Sequence, residues 1–294
     1  MLVTVLDGGM GGEIKERLPG AATGLWSATA LLEAPDLVVA IHREFIDAGA
    51  RIITTNTYST VPSYLGKAGL ADQFEALARL AGELAQRAVR ESGRAVQIAG
   101  SIPPLSESYR PDLVPSSEAA DPIYAALVAA LADLVDLFLC ETMSSAAEAR
   151  TAAAAAVKHG GGRPVYVSWT LDETPGAGLR SGERVEDAFA AVADLDLAGY
   201  LFNCTDPAAI EAALRALRPL TDKPLGGYAN RLNRVPKGWT LDGTVQGGRR
   251  TDLSEDAFVA SALRCVDAGA TIVGGCCGIG PRYIAPLTRA LAAR

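Results

Sequence analysis

Short apolar runs alternate with longer alanine- and leucine-rich stretches of helical periodicity, and the alternation repeats about eight times. Few architectures take up eight strand-then-helix units in one piece. The strand candidates are 2–6, 51–55, 95–100, 136–140, 164–169, 199–203, 224–228 and 270–273. Helical patterns follow at about 36–48, 72–91, 118–133, 145–158, 183–193, 207–217, 254–268 and 281–292. Within 72–91, Phe74, Leu77, Leu80, Ala81, Leu84 and Ala88 recur at spacings of three and four and mark one apolar face. Asp206-Pro207 and Ser254-Glu255-Asp256 combine capping residues with first-turn proline or acids, so they start helices. The expected fold is α/β, a single (β/α)8 TIM barrel over residues 1–294, with its active site at the carboxyl ends of the strands. A doubly wound open sheet is the alternative. Against it, Gly8-Gly9-Met10-Gly11-Gly12 after the first strand is glycine-rich but lacks the G-x-G-x-x-G spacing of a phosphate loop.

Composition narrows the function. A net charge of −7 argues against nucleic acid, whose phosphates require a basic face. No apolar stretch approaches the roughly 20 residues needed to span a bilayer. The first residues show no basic region followed by an apolar one, so no secretion signal is expected. Five cysteines, an odd number without that signal, point to reduced thiols and a cytoplasmic protein rather than a disulfide framework. Cys140 and Cys265 fall in apolar patterns and read as core filler, and the two histidines, His42 and His159, as surface or packing residues. The long irregular stretch 229–250 is basic, with Arg231, Arg234, Lys237, Arg249 and Arg250 against Asp242. It reads as a lid over the barrel mouth or as a solvated loop. Association into homo-oligomers is left open.

Three cysteines resist the packing explanation. Cys276 and Cys277 sit between glycines directly after the run Ala270–Val273, and Cys204 follows Gly199–Asn203. Neighbouring residues of an extended strand face opposite ways, so both thiols reach one metal only if the chain turns sharply, which glycine permits. With one strand between them, the two strand ends lie roughly 10 Å apart, within reach of inward-leaning side chains. With Cys140 read as core filler, no further cysteine or histidine is left at a strand end, and three thiolates suit a zinc site that keeps one position open. A closed structural site and three merely buried thiols are the other readings. The remaining strand ends are polar or aromatic as well: Asp7, Thr55-Asn56-Thr57-Tyr58, Ser101, Glu141-Thr142, Trp169 and Tyr228–Asn230.

Several segments appear in order: Asp7-Gly8-Gly9, Trp26-Ser27, Ala48 to Tyr58, Glu141-Thr142, Asn203-Cys204-Thr205 and Gly274-Gly275-Cys276-Cys277-Gly278. Together they resemble the zinc-dependent homocysteine S-methyltransferase family, which includes the betaine– and S-methylmethionine–homocysteine methyltransferases. The resemblance covers essentially the whole chain. It implies zinc on Cys204, Cys276 and Cys277, and an activity in methionine biosynthesis. By the same resemblance Asp7 and Glu141 hold the amino group of homocysteine, and Trp26 and Tyr58 lie near the reacting groups. Asn203 and Asn230 lie beside the metal, Asn230 as a weak ligand before substrate arrives. The residue chemistry agrees. Two carboxylates suit an ammonium through charge-assisted hydrogen bonds, the Gly8 and Gly9 amides can form a nest for the substrate carboxylate, and aromatic faces attract a cationic methyl donor.

The expected reaction moves a methyl group from a small sulfonium or quaternary ammonium donor, S-methylmethionine for preference, to the thiolate of L-homocysteine on zinc. Three cysteinates around a divalent ion leave excess negative charge, which keeps the substrate sulfur nucleophilic and favours a cationic donor. Some segments depart from the family pattern: Gly100-Ser101-Ile102-Pro103-Pro104 where a Gly-Ser-x-Gly-Pro turn is usual, Tyr228-Ala229-Asn230 for tyrosine-proline-asparagine, and Gly278-Ile279-Gly280-Pro281 after the cysteine pair. They leave open another thiol acceptor, a separate corrinoid partner, or a zinc-binding barrel without turnover.

Overall fold

The computed structural model describes residues 3–18, 25–236, 238–240 and 248–294, and the backbone alone of Trp26. Among the described residues the strands are β1 (Thr4–Val5), β2 (Ile52–Thr54), β3 (Gln97–Ile102), β4 (Leu137–Met143), β5 (Val165–Trp169), β6 (Gly199–Asn203), β7 (Leu225–Ala229) and β8 (Ile272–Gly275). Each overlaps its expected run; residue 2 of the first lies outside the described residues. All neighbours pair in parallel, in the order β1-β8-β7-β6-β5-β4-β3-β2. The ring closes where Leu6 bridges Ile52, with the Arg51 amide donating to the Val5 carbonyl (2.8 Å) and the Asp7 amide to Ile52 (3.0 Å). An open doubly wound sheet would instead reverse its strand order partway and keep two free edges.

Period-two alternation divides every strand between two cores. Leu6, Ile52, Ala99, Leu137, Leu139, Leu201, Tyr228 and Ile272 fill the barrel interior. The alternate residues, among them Phe138, Val167, Phe202 and Val273, pack outward against the helices. Trp169 belongs to this outer set. It is fully buried and stacks on Tyr200 at 6.0 Å, so although it ends β5 it does not face the mouth. Cys140, Cys265 and His42 are likewise buried among packed side chains.

Helices Pro35–Ala48, Phe74–Ser92, Ser117–Leu131, Ala146–His159, Pro207–Leu217, Glu255–Asp267 and Pro281–Ala292 cover the sheet close to their expected bounds, and the unit expected at 183–193 is helical only over Val185–Ala190. The capping chemistry is as read. The Asp206 side chain accepts from the Ala208 amide, and Ser254 from Ala257. Met10–Arg17 is a helix although it begins inside the glycine-rich run Gly8–Gly12 and falls outside the expected helical patterns. Packing and ion pairs outweigh its poor propensity: Ile14 is buried, and Arg17 donates to Glu13 one turn back at 2.7 Å and to the distant Glu44 at 2.6 Å. No helix among the described residues is long and apolar enough to cross a membrane.

Candidate active site

The sulfurs of Cys204, Cys276 and Cys277 lie within 4.8 Å of one another at the carboxyl end of the barrel, with Cys204 Sγ and Cys277 Sγ 3.5 Å apart. Tetrahedral thiolates about 2.3 Å from one zinc ion sit about 3.8 Å from each other, so the cluster fits such an ion. Among the described residues no fourth cysteine, histidine or carboxylate joins the group. Local backbone geometry makes this convergence possible. The Ile279 amide donates to the Cys276 carbonyl (3.0 Å), closing a turn whose third residue is Gly278 at φ 80°. That conformation requires glycine, and it swings Cys277 round to the side of Cys276. Cys204 itself takes a left-handed backbone, φ 53°, as the chain leaves β6.

Burial pushes the Cys204 thiol up, but hydrogen bonds from Cys276, Cys277 and Tyr109 outweigh it and hold the group well below the ordinary thiol range. Sharing that anion raises Cys276 and Cys277. The three thiols thus already favour one negative charge at Cys204.

Two carboxylates are buried beside them. Asp7 accepts from the Thr54 amide (2.7 Å) and from Thr54 Oγ1 (3.0 Å). Burial, with the charge of Glu141 adding to it, raises its pKa to about 8. Glu141 accepts from Ser101 Oγ and from the Tyr228 hydroxyl at 3.4 Å, and burial raises it to about 7. Both carboxylates therefore favour a cation in the space between the strand ends.

Asn203 braces three strand ends. Its Oδ1 accepts from the Thr142 amide (2.9 Å) and Ser168 Oγ (2.7 Å), and its Nδ2 donates to Thr142 Oγ1 (2.8 Å) and faces Cys276 Sγ at 3.9 Å. The register of β4 against β5 shifts between Cys140 and Met143, and Thr142 there has φ 62°. The bulge would strand the Thr142 amide without Asn203, and it lies at the Glu141 carboxylate, where such irregularities re-aim a side chain. Asn230 turns its amide nitrogen toward Cys204 Sγ (3.8 Å), while its oxygen accepts from the Leu232 amide (3.2 Å). In this orientation nitrogen, not a ligating oxygen, faces the sulfur. The Tyr58 hydroxyl bonds Ser108 Oγ at 2.6 Å.

The glycine pair plays a different part from the nest expected of it. The Gly9 amide is already given to the Ile279 carbonyl at 2.9 Å, which leaves only the Gly8 amide for a carboxylate. A Cβ on Gly8 would fall 2.1 Å from the Ile279 oxygen, and one on Gly9 2.7 Å from that of Cys276. Close approach between the first turn and the cysteine loop is what these positions require. The Trp26 side chain lies outside the described residues, as do Lys237 and residues 241–247 of the basic loop. The described part of that loop covers the cysteines: Val235 is buried with Tyr109 and Cys204, and Trp239 packs against them. Arg249 pairs with Glu16, and Arg250 with Asp206 and Asp252, so neither is a free solvated charge.

Three contributors carried no readable signal. Tyr109, in the loop after β3, donates its hydroxyl to Cys204 Sγ at 2.9 Å. Arg180 lies over the Tyr109 ring and donates to the Val235 carbonyl at 2.6 Å. Thr54 holds Asp7. Thr54 lies within the Ala48–Tyr58 segment but draws no notice as a partner of Asp7, and a lone tyrosine in a loop reads the same whether or not it reaches a sulfur.

The homocysteine S-methyltransferase family profile matches residues 4–291. The homocysteine S-methyltransferase of Escherichia coli is 31% identical, over 97% of this chain and 94% of that protein. A selenocysteine methyltransferase of Astragalus bisulcatus is 27% identical, over 95% and 90% respectively. The crystal structure of the E. coli homocysteine methyltransferase MmuM in its metallated form superposes with a TM-score of 0.82 at 28% identity, covering 99% of this chain and 96% of that one.

Proposed function

Because the chain belongs to the homocysteine S-methyltransferase family, we propose that it methylates L-homocysteine to methionine, using zinc on Cys204, Cys276 and Cys277 and a small sulfonium or quaternary ammonium donor, S-methylmethionine for preference. The observation that carries this reading is the convergence of three sulfurs within 4.8 Å, with no fourth protein ligand among the described residues, next to two buried carboxylates. Zinc held there supplies an ionised, soft sulfur from a thiol that is otherwise only a few per cent thiolate at neutral pH.

The chain's own side chains bind and orient. Asp7 and Glu141 take the ammonium of the amino acid; Thr54, Ser101 and Tyr228 fix their oxygens so that the cation replaces the protons these groups otherwise hold. Asn203 keeps Glu141 and Cys276 in register by tying β4, β5 and β6 together. The Gly8 amide points to the substrate carboxylate. By the family resemblance Tyr58 and Trp26 are the aromatic residues that serve the donor, whose positive charge is drawn to aromatic faces and to a site rich in sulfur anions. Val235 and Trp239 help exclude water from the reacting atoms. Thiols that must stay reduced place the enzyme in the cytoplasm.

Metal analysis of the purified protein, followed by assays pairing homocysteine or selenocysteine with S-methylmethionine, betaine and other onium donors, tests the proposal. Methionine formation with one donor, lost together with zinc in Cys204→Ala and Cys277→Ala while the circular dichroism stays native, is the expected result. Zinc-loaded protein that methylates neither acceptor with any donor would leave a binding barrel instead.

A further inference from the structure

Among the described residues only three other than glycine adopt a left-handed backbone: Tyr109 (φ 64°), Thr142 (φ 62°) and Cys204 (φ 53°). Such conformations are disfavoured for residues with a Cβ and persist where the surroundings over-determine them. Thr142 is held in the bulge by Asn203, and Cys204 belongs to the sulfur cluster. Tyr109 belongs to neither, and its loop holds a buried ring. Trp239 packs against that ring edge-on (5.4 Å between centroids, 69°), and the Arg180 guanidinium lies 5.7 Å from its centroid. Held in this way, the hydroxyl reaches Cys204 Sγ at 2.9 Å. A phenol is protonated at neutral pH and donates.

The three sulfurs are not treated alike. Cys204 Sγ receives Tyr109 at 2.9 Å and faces Asn230 Nδ2 at 3.8 Å, whereas the side-chain amide at Cys276 Sγ is that of Asn203, with Nδ2 at 3.9 Å. Cys277 Sγ is placed against Cys204 itself. A reaction that brings a methyl cation equivalent to one thiolate exposes every neighbouring thiolate to the same electrophile. In the side reaction a lone pair on Cys204 Sγ forms a bond to the methyl carbon, and the methyl–sulfonium bond breaks with its pair staying on the donor sulfur. The products are a neutral donor thioether and S-methylcysteine at position 204, which has lost its charge as a ligand.

We propose that Tyr109 is a positioning residue that keeps Cys204 a spectator: its hydroxyl draws charge from that sulfur, so that the substrate's sulfur and not the ligand's takes the methyl group. The inference rests on the methyltransferase reading, and its test does not need turnover. A hydrogen bond to an anion is a strong one, and losing it raises the reactivity of the sulfur by about tenfold. Tyr109→Phe keeps the ring between Trp239 and Arg180 and removes only the donor. Zinc-loaded wild type and variant, without homocysteine, are treated with limiting methyl iodide, and methylation of Cys204 relative to Cys277 is read by peptide mass spectrometry. The ratio rises about tenfold in Tyr109→Phe at unchanged zinc stoichiometry. In the cobalt-substituted variant the sulfur-to-metal charge-transfer band moves to lower energy. An unchanged ratio and band overturn the proposal, and a variant that loses its zinc overturns it in favour of a ligand-holding role. Absence of homocysteine methylation in the wild type, with the ratio shifted as expected in the variant, would instead count against the function alone.

Discussion

Asn203 shows how much one side chain carries at this site. Four of its contacts reach across three strand ends, and two of them hold the left-handed Thr142 next to Glu141. Asn203→Ala leaves the buried Thr142 amide and Ser168 hydroxyl without these partners, at a cost of about 2–4 kcal/mol. Denaturant unfolding reads this loss, and a change below half a kcal/mol would mean the bulge holds itself. Asp7 carries a second prediction. Its pKa in the folded chain, about 8, stands above its ordinary 3.8. The ligand-free native state therefore binds more protons than the unfolded chain between those values. The stability this group contributes is complete below about pH 4 and is lost as pH rises through 8. Asp7→Asn removes that loss, so at pH 8 the ligand-free variant melts above the wild type, by an amount on the order of 1–3 kcal/mol, while homocysteine binding weakens. Thermal midpoints of both proteins at pH 5 and pH 8 check the sign; a variant less stable at both refutes it.

At the scale of elements, the junctions matter more than the strands. The turn Cys276–Ile279 and the backbone approach of Gly9 set where two of the sulfurs lie. Gly278→Ala imposes a Cβ on φ 80°, a conformation that costs about 1–2 kcal/mol for an L-residue. The turn relaxes by shifting Cys277 relative to Cys276, and zinc affinity falls with little change in the helical signal. Competition with a chromophoric chelator measures this, and wild-type affinity would show that the turn does not set the site. The elements themselves were mostly legible. Helix Phe74–Ser92 follows from its spacing of apolar residues, and Pro207–Leu217 from its cap and first-turn proline. Helix Met10–Arg17 was not legible, because glycines mask a segment whose order comes from Ile14 in the core and from Arg17 between two acids. Trp169 misled in the opposite direction: its place at a strand end was readable, but the parity of β5 points it outward.

For the whole molecule, the core and the cysteine cluster proposed to hold zinc are separate. The packed layer between sheet and helices contains none of the three clustered cysteines. Chelation should therefore leave the barrel folded and lower only its thermal midpoint. Each tenfold rise in free zinc above the dissociation constant adds about 1.4 kcal/mol to its stability. Collapse of the far-ultraviolet circular dichroism on adding a chelator would show a structural metal instead. The exposed ion pairs on the outer face, Arg87 with Asp36, Arg79 with Asp133 and Arg150 with Asp194, add little at this scale, so salt should barely move the midpoint.

The amino-acid order alone determined the repeating strand and helix, and with it the barrel, since periodicity and capping are local properties that survive in any context. It also determined which sulfurs would meet, because a barrel sends every strand's carboxyl end to one mouth. Only the tertiary structure decided that Gly9 gives its amide to Ile279, that Asn203 spans three strands and that Tyr109 reaches Cys204. Those facts depend on residues far apart along the chain, brought to hydrogen-bonding distance by closure of the ring, and no local pattern records such a distance.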